Sequence, residues 1–162
     1  MRPAAIIYSS NTGHTRRYAE LLSEKTGLPA CDIKEAKADK ALPVIYMGWL
    51  MAGTVKDLGK AKRRFDVQAV CGVGLCTTGA MLNEVRKAAR IPGDIPLFTL
   101  QGGMDLDKLT GIYRRMIDTL TRFMARKKNP SADDREMLRL LTTPGDYVCE
   151  ENLAEVLKWI SM

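Results

Sequence analysis

A chain of 162 residues fills one domain well and two poorly, so a single domain over 1–162 is expected. Apolar residues at 46% and charged residues at 27% exclude a disordered or fibrous chain. No apolar run approaches the ~18 residues of a spanning helix, and no basic-apolar-small leader precedes Ala4, so the cytoplasm is the expected location. The formal charge of +6 and pI near 9.2 favour acidic partners or anionic surfaces. No nucleic-acid motif accompanies that charge and the aromatics are few, so nucleic acid is not an expected partner.

Residues 4–9 form a short, mostly apolar run that suits a strand buried on both faces. The run delivers a turn of Ser10, Asn11, Thr12, Gly13, His14 and Thr15 into a helix over 15–26. Gly13 admits backbone angles that other residues avoid, and Ser10, Thr12 and Thr15 supply hydroxyls. A helix beginning at Thr15 aims its free N–H groups and positive dipole end at the same point. Such a turn is an anion site, with phosphate the natural guest. It is neither the P-loop of NTPases nor the three-glycine Rossmann fingerprint. His14 is the only histidine, which excludes a Ser-His-Asp triad and a multi-histidine metal centre on counting. It reads as a loop residue beside the anion, and no catalytic residue or metal ligand is assigned.

The helix over 15–26 turns Tyr18, Ala19 and Leu22 inward, and Gly27 stops it. A second strand over 29–33, a polar stretch over 34–41 and a third strand over 43–47 follow. The next seven residues, Gly48, Trp49, Leu50, Met51, Ala52, Gly53 and Thr54, read as a loop. Its large apolar side chains need a cover, which a planar ligand, the core or a second subunit would supply. A basic amphipathic helix over 55–65 leads to a buried fourth strand over 66–75, where Gly72 and Gly74 point to a close approach by backbone or ligand. Cys76, Thr77, Thr78 and Gly79 turn into a helix over 81–90, and residues 96–101 form the fifth strand.

Asp105 reads as the N-cap of the longest helix, in which apolar residues from Leu106 to Met124 recur at three and four. That stripe is expected to pack on the sheet. A linker over 127–131, a capping box of Ser131 and Asp134 before a helix over 135–141, a turn over 143–146 and a closing helix over 150–160 complete the chain. The four cysteines, Cys31, Cys71, Cys76 and Cys149, lack C-x-x-C spacing and read as small buried hydrophobes.

Five strands alternating with helices give an α/β fold with a doubly wound parallel sheet and helices on both faces. The spacing Ser-x-Thr-Gly-x-Thr from Ser10 to Thr15 resembles the phosphate loop of flavodoxins, which holds the phosphate of FMN. The ending Leu100-Gln101-Gly102-Gly103-Met104-Asp105, the long helix with its tyrosine and methionines, and the turn Gly145-Asp146-Tyr147-Val148 extend the resemblance over nearly the whole chain. Together they look like a flavodoxin-domain family that includes the flavodoxin-like protoporphyrinogen oxidases. The resemblance implies the strand order 2-1-3-4-5, with the ligand at the carboxyl ends of strands 1, 3 and 4.

It also implies FMN as the cofactor, with Ser10, Asn11, Thr12, Gly13, His14 and Thr15 on the phosphate. Trp49 would stack on the ring, the rest of its loop, Leu50, Met51 and Ala52 included, would flank it, and Gly48 or Gly53 would turn a carbonyl toward ring nitrogen N5. Leu75, Cys76, Thr77, Thr78 and Gly79 would line the other side, where this chain lacks the tyrosine common in flavodoxins. Two functions follow. One is an electron carrier serving redox proteins, acidic ones given the basic surface. The other is a protoporphyrinogen oxidase or a related dehydrogenase that uses a quinone, whose basic surface holds propionates or meets an anionic membrane. The basic charge departs from the acidic habit of flavodoxins and favours the enzyme. The stretch after strand 4 lacks the oxidase's basic insertion and favours the carrier, which is the expected function.

Overall fold

The computed structural model describes residues 2–162. In chain order it runs β1 (Ala5–Ser9), α1 (His14–Thr26), β2 (Ala30–Asp32), β3 (Pro43–Met51), β4 (Thr54–Val55), α2 (Leu58–Arg64), β5 (Asp66–Gly74), α3 (Leu82–Ala88) and β6 (Leu97–Gln101). Then come β7 (Gly103–Met104), α4 (Gly111–Ala125), α5 (Ala132–Thr142), β8 (Gly145–Asp146), a 3₁₀ turn (Glu150–Leu153) and α6 (Ala154–Ser161).

Ile6 and Ile7 of β1 point to opposite faces, and both are buried, because helices cover the sheet on each side. On one face Tyr18 and Leu22 of α1, with Leu153 and Val156 near the C-terminus, pack on Ile6, Met47 and Val73. On the other, Leu58 and Ala61 of α2 and Val85 of α3 pack on Ile7, Tyr46 and Val70. The parallel strands stand in the order β2-β1-β3-β5-β6, which is the expected 2-1-3-4-5 once the short β4, antiparallel to β3, is set aside. The order reverses direction at β1 and β3, and their carboxyl ends open the crevice where ligands of such sheets bind. Among the described residues no helix is long and apolar enough to cross a membrane.

The expected loop over 48–54 is instead a hairpin. β3 does not stop at Met47: it continues through Trp49 to Met51, turns at Ala52 (φ 50°) and Gly53 (φ 76°), and returns as β4 with Leu50 opposite Val55. Two successive left-handed residues give a turn whose twist matches the strands it joins. The helix after it therefore begins at Leu58 rather than at 55.

The close approach at Gly72 and Gly74 is made by this same hairpin. A Cβ at Gly72 would lie 2.8 Å from Leu50 Cδ2, and one at Gly74 would lie 2.9 Å from Leu50 Cδ1. No side chain but hydrogen leaves room for Leu50 to lie flat on β5.

The longest helix departs further from expectation. It starts at Gly111, and Asp105 does not cap it; Asp105 accepts the backbone N–H of Lys108 at 3.3 Å. Nor does it lie along the sheet: no residue of α4 is buried, and apart from a contact of Tyr113 with Trp49 its neighbours are chiefly α5 and a small cluster of Met104, Leu109 and Leu141 separate from the two sheet cores. Periodicity shows that a helix has an apolar face without showing what covers it. The capping box forms as expected, with Ser131 Oγ accepting from the Asp134 N–H at 3.1 Å and Asp134 Oδ2 accepting from the Ser131 N–H at 2.9 Å.

The two helices leave and rejoin the sheet through β7 and β8, which pair Gly103 with Asp146 and Met104 with Gly145. Gly103 (φ 141°) has no space for a side chain, since a Cβ there would lie 2.0 Å from the Gly145 carbonyl oxygen. The pair α4 and α5 thus forms a roof over the carboxyl ends of the strands.

Candidate functional site

Under that roof lies a cavity of about 590 Å³, within the size range of small-molecule and cofactor sites. One end is polar and built by the turn after β1. The turn's geometry depends on Gly13, whose φ of +103° is strained for any other residue although nothing crowds the place of its missing Cβ. α1 then starts without a side-chain cap and with no acidic residue in its first turn, where Arg16 and Arg17 stand instead. Cations at the positive end of a helix oppose its dipole unless an anion is near. Both are held by acids, Arg16 by Glu20 at 2.7 Å and Arg17 by Asp146.

Ser10 Oγ is buried beside this helix start and has no hydrogen-bond partner, whereas buried hydroxyls almost always have one. Thr12 Oγ1 and His14 Nδ1 lie 3.0 Å apart, and Thr15 is 1% exposed. Burial holds the His14 imidazole below its ordinary value, opposed by the Asp146 carboxylate. The donors present, an unpartnered hydroxyl and a bare helix N-terminus, suit a phosphate group.

The other end is apolar. Trp49, Leu50, Met51, Ala52 and Gly53 of the hairpin line it, together with Leu75 and Cys76 at the end of β5. Of the predicted site residues the structure brings these seven together with Ser10, Asn11, Thr12, His14 and Thr15. Gly13 faces a shallower polar cleft on the solvent side of the turn. Gly48 stays out: it pairs with Ser9 and Gly72 inside the sheet, and a Cβ there would meet Val55 and the Lys56 carbonyl oxygen at 2.6 and 2.8 Å. Gly53, at the hairpin tip, is the glycine of the pair that reaches the cavity.

Thr77, Thr78 and Gly79 also stay out. Gln101 N–H donates to Thr78 Oγ1 at 2.9 Å and Gly79 N–H to the Thr99 carbonyl at 3.0 Å, which ties this loop to β6. The hairpin is anchored as firmly, by Ser9 Oγ donating to Asp57 Oδ2 at 2.9 Å and Tyr46 Oη donating to the Lys56 carbonyl at 2.6 Å. Burial raises the Cys76 thiol and pushes that of Cys71 up to about 12, so neither is a ready thiolate.

Among the residues that sequence reasoning missed, Tyr113, Met116, Ile117 and Leu120 of α4 and Met137 and Leu141 of α5 come from the roof, and others, such as Met81, Val85 and Leu100, come from α3 and its approach and from the end of β6. Tyr113 meets Trp49 edge to face, with ring centroids 5.1 Å apart, and the Lys56 ammonium lies 6.0 Å from the Trp49 centroid and 5.7 Å from that of Tyr113. A tyrosine thus lines the cavity from a helix distant in sequence from the Cys76 loop. No protein-family model matches the sequence, and a search of curated proteins gives no match.

Proposed function

We propose that this chain binds FMN and works as a flavodoxin-like electron-transfer protein. The observation that carries the reading is the buried, unpartnered Ser10 Oγ beside an uncapped helix start, at the polar end of a cavity that is otherwise apolar. A ligand with a phosphate at one end and a flat apolar ring at the other matches that division. Ser10, Thr12 and the first backbone N–H groups of α1 would hold the phosphate; Trp49, the hairpin tip, Leu75 and Cys76 would meet the ring. When bound, FMN supplies one- and two-electron redox chemistry, and the chain's own residues bind it, orient it and limit its contact with water.

A second reading, a flavin-dependent oxidoreductase of the protoporphyrinogen-oxidase or quinone-linked kind, is favoured by the roof. Met116, Ile117 and Leu120 extend the apolar wall, and a carrier that exchanges electrons at an exposed ring edge has no use for that extension. The test is the visible spectrum of the purified protein after incubation with FMN and desalting, for the native sequence and for Thr12→Leu. Flavin bands retained by the first and lost from the second support the site. A colourless native protein overturns both readings. Oxidation of a porphyrinogen by the loaded protein, against reduction of protein acceptors, then separates them.

A further inference from the structure

Helix α4 carries more apolar surface than its packing uses. Tyr113, Ile117 and Met124 turn toward the cluster of Met104, Leu109 and Leu141, whereas Ile112 is 67% exposed, Phe123 66%, and Met116 and Leu120 41% each. At about 100° per residue these four fall on one stripe, adjoining the packed one. Arg115, Arg122 and Arg126 fall along its opposite edge, all exposed and none in an ion pair among the described residues. The one acid of the helix, Asp118, is bound to Arg114 on the far side.

We propose that this face docks on an anionic lipid bilayer, with α4 lying in the headgroup plane, Ile112 and Phe123 entering the acyl boundary, and Arg115, Arg122 and Arg126 meeting lipid phosphates. A wide apolar stripe edged by cations on a surface helix is the pattern of helices that lie in a membrane interface. An antiparallel second copy fits poorly: a two-fold axis across this face sets the arginines of one copy beside those of the other, and the one acid of α4 is already bound to Arg114. The overall charge of +6 adds long-range attraction of the same sign. Ile112, Phe123 and the three arginines are not among the residues that line the cavity, so the test on them is independent of what fills it.

Co-sedimentation of the full chain with vesicles of phosphatidylcholine alone, and of phosphatidylcholine with phosphatidylglycerol, tests it. Binding is expected to the anionic vesicles only. The Ile112→Ser/Phe123→Ser double variant should bind them at least about ten-fold more weakly, and each of Arg115→Gln, Arg122→Gln and Arg126→Gln about five-fold more weakly. Circular dichroism confirms that these surface variants remain folded. Equal binding to neutral vesicles, or anionic binding untouched by the Ile112/Phe123 change, overturns the proposal. So does a dimer in solution that the same double variant dissolves, which would give the face to a second copy, or capture of an acidic protein in place of vesicles.

Discussion

Trp49 and Tyr113 meet edge to face, 5.1 Å between ring centroids and 87° between planes, and through them the sheet touches its roof across the cavity. Such a pair contributes about 0.5–1.5 kcal/mol beyond the burial of its two rings. A double-mutant cycle of Trp49→Leu and Tyr113→Leu, read by urea unfolding, is expected to give a coupling energy in that range. Strictly additive single effects would reduce the two rings to neighbours without mutual attraction.

Ser10→Ala should separate stability from binding. The hydroxyl is buried without a partner, so its removal relieves a desolvation penalty and should stabilise the protein by about 1 kcal/mol. The same variant should hold FMN about ten-fold less tightly, since a hydrogen bond to a charged phosphate is lost. A drop in stability would mean that the hydroxyl has a structural partner, and an unchanged FMN affinity would remove it from the phosphate site.

Gly72→Ala tests the flat seating of Leu50 on β5. Its new Cβ would lie 2.8 Å from the Leu50 side chain, and overpacking of this kind costs about 1–3 kcal/mol. In a Leu50→Ala background the same Gly72→Ala change should cost much less, measured as the difference between urea midpoints. An equal cost in both backgrounds would place the strain in the backbone of β5 and not in the contact.

His14 makes stability depend on pH in a stated direction. Its folded value lies below the ordinary 6.5, so between the two values the unfolded chain binds more protons than the folded one. Its contribution is complete above 6.5 and is lost as pH falls through the lower folded value. Thermal unfolding from about pH 8 to about pH 5 should show that decline, and His14→Gln should lessen it. An identical decline in the variant would assign the effect to other groups.

The fold was legible because its signals are local. Buried runs such as Ile6-Ile7 and the small-residue turn at Gly13 announce strand, loop and helix within a few residues, and their alternation announces a parallel sheet, whereas its strand order was implied only by the resemblance. The hairpin was hidden because Gly48 reads as a strand end, when its missing side chain admits Val55 and Lys56 of the returning strand. The roof was hidden for a different reason. The stripe of α4 has the same period whether it faces a sheet or a cavity, and the contact of Tyr113 with Trp49 joins positions too far apart in sequence for any pattern to report. The polar half of the cavity was therefore readable from one stretch, whereas its apolar half is assembled from the hairpin, the ends of β5 and β6 and several helices.

The narrow β7 and β8 ladder has a kinetic consequence. Residues 105–144 enter and leave through neighbouring strands, two residues long each, so their chain connections to the sheet form a single stalk. A segment held in this way can swing or melt as a unit while every strand of the main sheet keeps its partners. Backbone amides of α4 and α5 are accordingly expected to exchange with deuterated solvent well ahead of those in β3 and β5. The residence time of anything beneath them is then a property of the stalk, set apart from the stability of the whole molecule.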